Sequence, residues 1–165
     1  MVFTTSAQSA MELVELLGKR PSEVDLKEYL GNNIDTLLSA TWRYTSKETG
    51  VMVQAHIDQY DPENTVITTI TLYFTKDGYA FFQGDLPFDI RPSKSWNKNR
   101  TMLANKTGFT DLEVVKDIEL ATRLQFKTKM LDQNVFMTAL YLHDEKGVVQ
   151  RDMYSLQFSI LKWEE

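Results

Sequence analysis

The chain reads as an α+β protein, a two-layer fold of antiparallel sheet with helices on one face. Three observations predict it. Several segments alternate apolar and polar residues with a period of two, as half-buried strands do. Consecutive segments of this kind are joined by short turns, which only antiparallel pairing allows. Helix-period segments come before each run of strands, giving the order ααβββ(β) and then αβββ. That order suggests tandem α-βββ halves, about residues 8–83 and 84–165, within a single domain 1–165.

Each element has a local reason. Residues 8–18 carry Met11, Leu13, Val14 and Leu17 at helical spacing, with Gly18 as the stop. Pro21-Ser22-Glu23 opens a second short helix, with Val24, Leu26, Tyr29 and Leu30 on its apolar side and Gly31-Asn32-Asn33 at its end. Residues 41–46, with Trp42 and Tyr44, form a short strand, and Lys47 to Gly50 a turn. Residues 51–57 alternate Val51, Val53, Ala55 and Ile57 against Met52, Gln54 and His56. Residues 65–74 place Val66, Thr68, Ile70, Leu72 and Phe74 on one face and Ile67, Thr69, Thr71 and Tyr73 on the other. Lys76-Asp77-Gly78 turns the chain into a short strand, Tyr79–Gln83.

A hinge follows, Gly84-Asp85-Leu86-Pro87-Phe88. Ser93 or Ser95 then caps a helix that runs to about Lys106, with Gly108 closing it. Residues 118–130 form a long strand with Leu120, Leu124, Phe126 and Met130 inward. Arg123, Gln125, Lys127 and Lys129 lie opposite, and carboxylates on a neighbouring strand are expected to balance Arg123, Lys127 and Lys129. Residues 134–142 and 153–163 complete the sheet, the last alternating Tyr154, Leu156, Phe158 and Ile160 with Ser155, Gln157 and Ser159.

The composition is that of a folded domain, 42% hydrophobic and 25% charged over 165 residues. A chain of this length buries roughly 70% of its unfolded surface. The absence of cysteine excludes disulfides and thiolate metal sites. The N-terminus has no basic segment followed by an apolar run, and no stretch approaches 18 apolar residues. A cytoplasmic protein with no membrane segment is expected. Charge is uneven: residues 1–90 hold 13 acidic and 6 basic side chains, residues 91–165 hold 10 and 12. An acidic half disfavours nucleic acid and favours a basic partner through electrostatic steering.

Catalytic chemistry is not legible. His56 and His143 are isolated, and neither falls in a metal-ligand spacing. An enzyme would have to use His56 with Asp58, or His143 with Asp144, and for the second pair adjacent strand residues point to opposite faces. There is no nucleophile elbow, P-loop or dinucleotide-binding glycine pattern. Asp58-x-x-Asp61-x-Glu63 lacks the glycine and terminal glutamate of a calcium loop. The reading is therefore of a non-enzyme without cofactor or metal. The basic set Arg91, Lys94, Lys98, Arg100 and Lys106 around Trp96 reads as a solvated helix face. Asp58, Asp61, Glu63, Asp85 and Asp89, with Tyr60 as an exposed aromatic, are the candidate partner-binding residues. They lie on loops that can converge at a sheet end.

Gly84-x-Leu86-Pro87-Phe88 after an aromatic strand end, the Ser-started helix, Leu16-Leu17-Gly18-Lys19 with Pro21, and the run Ile70 to Phe74 together carry a family likeness. Over about residues 11–143 the chain resembles immunity proteins of bacterial toxin–immunity loci, of the polymorphic, contact-dependent or type VI effector kind. The chain departs from that pattern at Asp89-Ile90 and after Gly108, where no proline follows. The resemblance implies a β-lactamase-inhibitor-like α+β fold. It also implies a cytoplasmic protein that neutralises a cognate toxin, for example a basic nuclease domain, by direct contact. The alternative is a small-ligand or lipid-binding α+β domain, since a curved sheet under helices can enclose an apolar pocket. Oligomeric state is open.

Overall fold

The computed structural model describes residues 9–57, 60–74, 82–106, 110–117 and 121–162, with residues 110–117 and Pro62 described by their backbone. Among the described residues, three α-helices and eight strands follow in order: α1 (Ala10–Val14), α2 (Leu26–Leu30), β1 (Ile34–Leu37), β2 (Thr41–Ser46), β3 (Val51–His56), β4 (Val66–Tyr73), α3 (Trp96–Ala104), β5 (Thr110–Asp117), β6 (Ala121–Met130), β7 (Gln133–Leu142) and β8 (Ser155–Ser159). The strands form one sheet in the order β1-β2-β3-β4-β8-β7-β6-β5, every pair antiparallel.

This topology is two four-stranded meanders joined through their last strands. Among the described residues each half thus supplies four strands. Two of them were not expected as strands, β1 and β5, the two edges of the sheet. β1 escapes a periodicity reading because three of its four residues are exposed, so no apolar alternation marks it. β5 lies where helix-end signals and a loop were expected. The expected strand 79–83 falls outside the described residues except at its end, where the Phe82 amide donates to the Tyr73 carbonyl at 2.7 Å.

One face of the sheet packs on the helices. Val51, Val53, Ile70, Leu72, Leu124, Phe126, Met137, Leu156 and Phe158 meet Leu13, Val14, Leu16, Leu17, Leu30 and Leu103 in a single buried core. Burying each such side chain stabilises the fold by about 1.5–3 kcal/mol. Met11, expected on this apolar side, is 37% exposed instead. α1 is shorter than the expected 8–18 helix. Ser9 forms a capping box with Glu12, and after Val14 the bonds tighten to Leu16→Leu13 and Leu17→Val14. Leu16 and Leu17 in that tightened turn are both buried.

Register within β4 departs from simple alternation. Gln54 pairs with Thr69 but Ala55 pairs with Ile67, so Thr68 is an extra residue, a β-bulge. The bulge brings Ile67 onto the core face with Ile70 and Leu72, all three fully buried. The expected face had Val66 and Thr68 there. The bulged carbonyl is not wasted: it accepts from the Ile160 amide at 3.0 Å and the Ser159 hydroxyl at 3.2 Å.

The opposite face is polar, with Thr69, Thr71, Thr138, Ser155, Gln157 and Ser159 at its centre, and the Thr69 and Ser159 hydroxyls meet at 3.0 Å. Lys127 faces Phe136 across the β6–β7 pair, its ammonium 5.8 Å from the ring centroid. An aromatic face thus stands where a carboxylate partner was expected.

The segment between the hinge and α3 is tied to the sheet by a buried amide. Asn99 on α3 donates from Nδ2 to the Tyr141 hydroxyl at 2.8 Å and to the carbonyls of Arg91 and Lys94 at 3.1 and 3.2 Å. Its Oδ1 accepts from the Arg91 amide at 3.4 Å. Both Asn99 and Tyr141 are buried, and desolvation pushes the Tyr141 phenol up to about 12. Ser95 occupies the N-cap position of α3 but makes no side-chain cap bond; Asn99 does the ordering from within the first turn. Phe88 and Asp89 both adopt left-handed backbone, φ 61° and 58°.

Candidate partner-binding surface

The registers fix which loops share an end of the sheet. Leu37 pairs with Arg43, Thr41 with His56, and His56 with Val66. Thr69 pairs with Ser159, Ser159 with Phe136, and Met130 with Gln133. The β1–β2 turn, the β3–β4 loop, the residues after β8 and the β6–β7 turn therefore lie at one end. Five of the seven large hydrophobic side chains that stand exposed among the described residues are there: Leu37, Leu38, Tyr60, Leu131 and Leu161. Exposed hydrophobics scattered singly need no explanation, but their concentration at one end does.

Tyr60 is the extreme case, 98% exposed. The loop that carries it is nonetheless held by its own bonds. Asn64 donates its amide N–H to the Asp61 carbonyl at 2.9 Å and its Nδ2 to the Asp61 carboxylate at 2.5 Å. Arg20, from the segment after α1, donates to the Asn64 Oδ1 at 3.0 Å and lies 3.8 Å from Glu23. Residues 62–64 form a single 3-10 turn that leaves Glu63 exposed. An aromatic presented on a bonded loop loses less entropy on binding than one on a free loop.

The sequence-derived acidic set is divided by the fold. Asp61 and Glu63, with Tyr60, precede β4; Asp58 lies outside the described residues. Asp85 and Asp89 follow the far end of β4. The strand from Ile67 to Tyr73 separates the two groups by roughly 20 Å at 3.3 Å per residue. Asp85 is exposed, and its carbonyl accepts from the Ala10 amide at 2.8 Å, which anchors α1 to the hinge. Asp89 is bound within the chain, 2.8 Å from the Lys106 ammonium. The hydrogen bond and charge of Lys106, aided by Arg91 and Lys94, hold its carboxyl below the usual aspartate range. Leu37, Leu38, Leu131 and Leu161 were not legible as surface residues, because no sequence pattern distinguishes an exposed turn leucine from a core one.

The histidines take separate places. His56 is exposed at the end of β3, while His143 Nε2 lies 2.9 Å from the Thr122 hydroxyl. Asp144 turns away and accepts from the amides of Lys146 and Val148, both at 2.9 Å, closing the loop before β8. Among the described residues no group of three His, Asp or Glu side chains could hold a metal ion, and no helix is long and apolar enough to cross a membrane.

A cleft of about 540 Å³ opens between α2 and the β1–β2 arm, floored by Ile34, Thr36, Trp42 and Tyr44 and walled by Val24 and Leu26. Burial raises the Tyr44 phenol above its ordinary value. No protein-family model, curated protein or solved structure matches the chain.

Proposed function

We propose that this chain is an immunity protein, which binds a cognate bacterial toxin domain in the cytoplasm and neutralises it by direct contact. The observation that carries the reading is Tyr60. It is an almost wholly exposed aromatic on a loop fixed by Asn64 and Arg20, beside the carboxylates of Asp61 and Glu63. An aromatic anchor bordered by acidic groups suits a partner with a basic active-site groove, such as a nuclease domain. Occupying that groove excludes substrate and needs no chemistry from the immunity protein.

Mixing the purified chain with the toxin domain encoded beside its gene tests the reading. A 1:1 complex with a Kd at or below the micromolar range, together with loss of toxin activity, is expected. The absence of any complex at that concentration refutes it.

The cleft favours a second reading, a small apolar ligand seated on Trp42 and Tyr44, since its volume lies within the range of ligand sites. A fatty-acid titration that quenches tryptophan emission in the native chain but not in Trp42→Phe would support it. Identical curves for the two proteins would remove it.

A further inference from the structure

We propose that two copies of this chain pair through their β1 edges, antiparallel about a two-fold axis at Thr36, with Leu38 of each copy seated against the cleft rim of the other. The partner this edge fits is the chain itself. The pairing stands apart from the immunity reading and holds or fails without it.

Backbone geometry says what the edge takes. The Lys47 amide donates to the Asn33 carbonyl at 3.0 Å, and Ile34 lies opposite Ser46. Hydrogen-bonded pairs alternate in an antiparallel ladder, so Asp35 with Thr45 and Leu37 with Arg43 also bond inward. The N–H and C=O groups of Ile34 and Thr36 then point out of the sheet, with no partner among the described residues. An open row of this kind is a template for another strand. The two edges of the sheet are guarded differently. β5 has a register irregularity between Thr110 and Glu113, and its residues include the ionisable Asp111, Glu113, Lys116 and Asp117. Bulges and charges keep an edge from pairing. β1 has neither bulge nor proline, and its one ionisable residue, Asp35, is paired within the chain with Lys47 at 3.0 Å.

Self-pairing selects one register. Opposed residues must share a face, so the choices differ by steps of two residues. With Thr36 opposite Thr36, Ile34 of each copy meets Leu38 of the other, and the outward groups of all three residues are bonded. One step toward the N-terminus sets Asp35 directly against the other copy's Asp35, a destabilising like-charge pair. One step the other way leaves Ile34 without a partner. The Thr36 register also covers the exposed leucines. Ile34 and Thr36 floor the cleft beside α2, walled by Val24 and Leu26. Leu38, 61% exposed, continues the alternation of those two residues. It comes beside the other copy's Ile34, at the rim of that cleft, while Leu37 comes beside the other copy's Asp35. Residues 34–38 of two copies make an interface below about 1,200 Å², so the dimer is weak, in the micromolar range.

Sedimentation of the full chain from low to high micromolar concentration tests the pairing, with Thr36→Pro, Leu38→Asp and, at the opposite end of the sheet, Val148→Asp. The Thr36 N–H bonds nothing among the described residues, so proline there spares the β1–β2 ladder. The native chain and Val148→Asp are expected to dimerise. Thr36→Pro and Leu38→Asp should each weaken the dimer about tenfold or more, with circular dichroism melts of dilute protein unchanged. Leu38→Asp keeps the test decisive if proline disturbs β1. The chain has no cysteine, so Thr36→Cys adds a reading of position. Facing Cα atoms about 5.5 Å apart suit a disulfide, and oxidation should link Thr36→Cys far faster than Val148→Cys. Equal oxidation rates overturn the Thr36 register. A native chain that stays monomeric at high micromolar concentration, or a dimer that both edge variants leave intact, overturns the proposal. So does a monomer whose toxin complex is lost in Thr36→Pro, which would give this edge to the toxin.

Discussion

Replacing Asn99 with Ala should be among the most damaging single changes to this fold, although the residue is polar and sits on a helix of weak apolar character. The side chain joins four partners: the Tyr141 hydroxyl, the Arg91 and Lys94 carbonyls, and the Arg91 amide. A net intramolecular hydrogen bond is worth about 0.5–1.5 kcal/mol, and a buried polar group left unpaired costs about 1–3 kcal/mol. The Arg91 amide bond, at 3.4 Å, is the weakest, and Arg91 is exposed enough for water to replace protein at its backbone. Tyr141 has no such recourse, being fully buried. Nδ2 carries two hydrogens for three acceptors, so the two carbonyls share one; the stranded phenol and that shared bond together give about 1.5–4.5 kcal/mol. That is a large share of the ~5–15 kcal/mol by which domains are stable. At about 2–4 °C per kcal/mol for a chain of this size, Tm should fall by about 3–18 °C. Urea unfolding of the native chain, Asn99→Ala, Tyr141→Phe and the double variant measures both the total and the coupling. Tyr141→Phe alone should cost less, and the double variant less than the sum, because removing the hydroxyl also removes the stranded group. A loss below 1 kcal/mol for Asn99→Ala, or strict additivity in the cycle, would refute the claim that this amide ties the start of α3 to the sheet.

Three further outcomes are expected. The Tyr141 phenol is raised mainly by desolvation to about 12 in the folded state, against an ordinary 10.0, so the folded chain holds this proton more tightly. Stability from this group is complete below pH 10 and lost as pH rises toward 12, and Tyr141→Phe should flatten the alkaline limb of a urea-midpoint profile. Asp89 has the opposite sign: its lowered carboxyl contributes above the ordinary 3.8 and loses that contribution as pH falls through its folded value, so Lys106→Met should raise its NMR-measured pKa toward 3.8. Ile67→Ala should cost about 2–5 kcal/mol and Val66→Ala distinctly less, because the bulge at Thr68 sends Ile67 and not Val66 into the core; equal losses in chemical denaturation would contradict the register.

What the sequence made legible is what periodicity can encode. Val51, Val53 and Ala55, or Leu156 and Phe158, announce a buried face by alternation alone, and the structure buries them. β1 carries no such signal because it is an edge strand with little to bury. The bulge at Thr68 is invisible because one extra residue reverses the phase of alternation, and either phase of 66–74 offers apolar residues. Asn99 carries no such signal, since an Asn in a helix is ordinarily a surface residue. Tyr60, Asp61 and Glu63 were legible as a polar loop with an exposed aromatic. Their separation from Asp85 and Asp89 was not, because it depends on which end of β4 each loop leaves.

The most direct measurement is calorimetric titration of the toxin domain encoded beside this gene into the native chain and into a Tyr60→Ala/Glu63→Lys double variant. The account predicts a 1:1 complex with the native chain and about a hundredfold weaker binding, at unchanged melting temperature, for the variant. Native-like affinity in the variant, or no heat of binding in either, would contradict it.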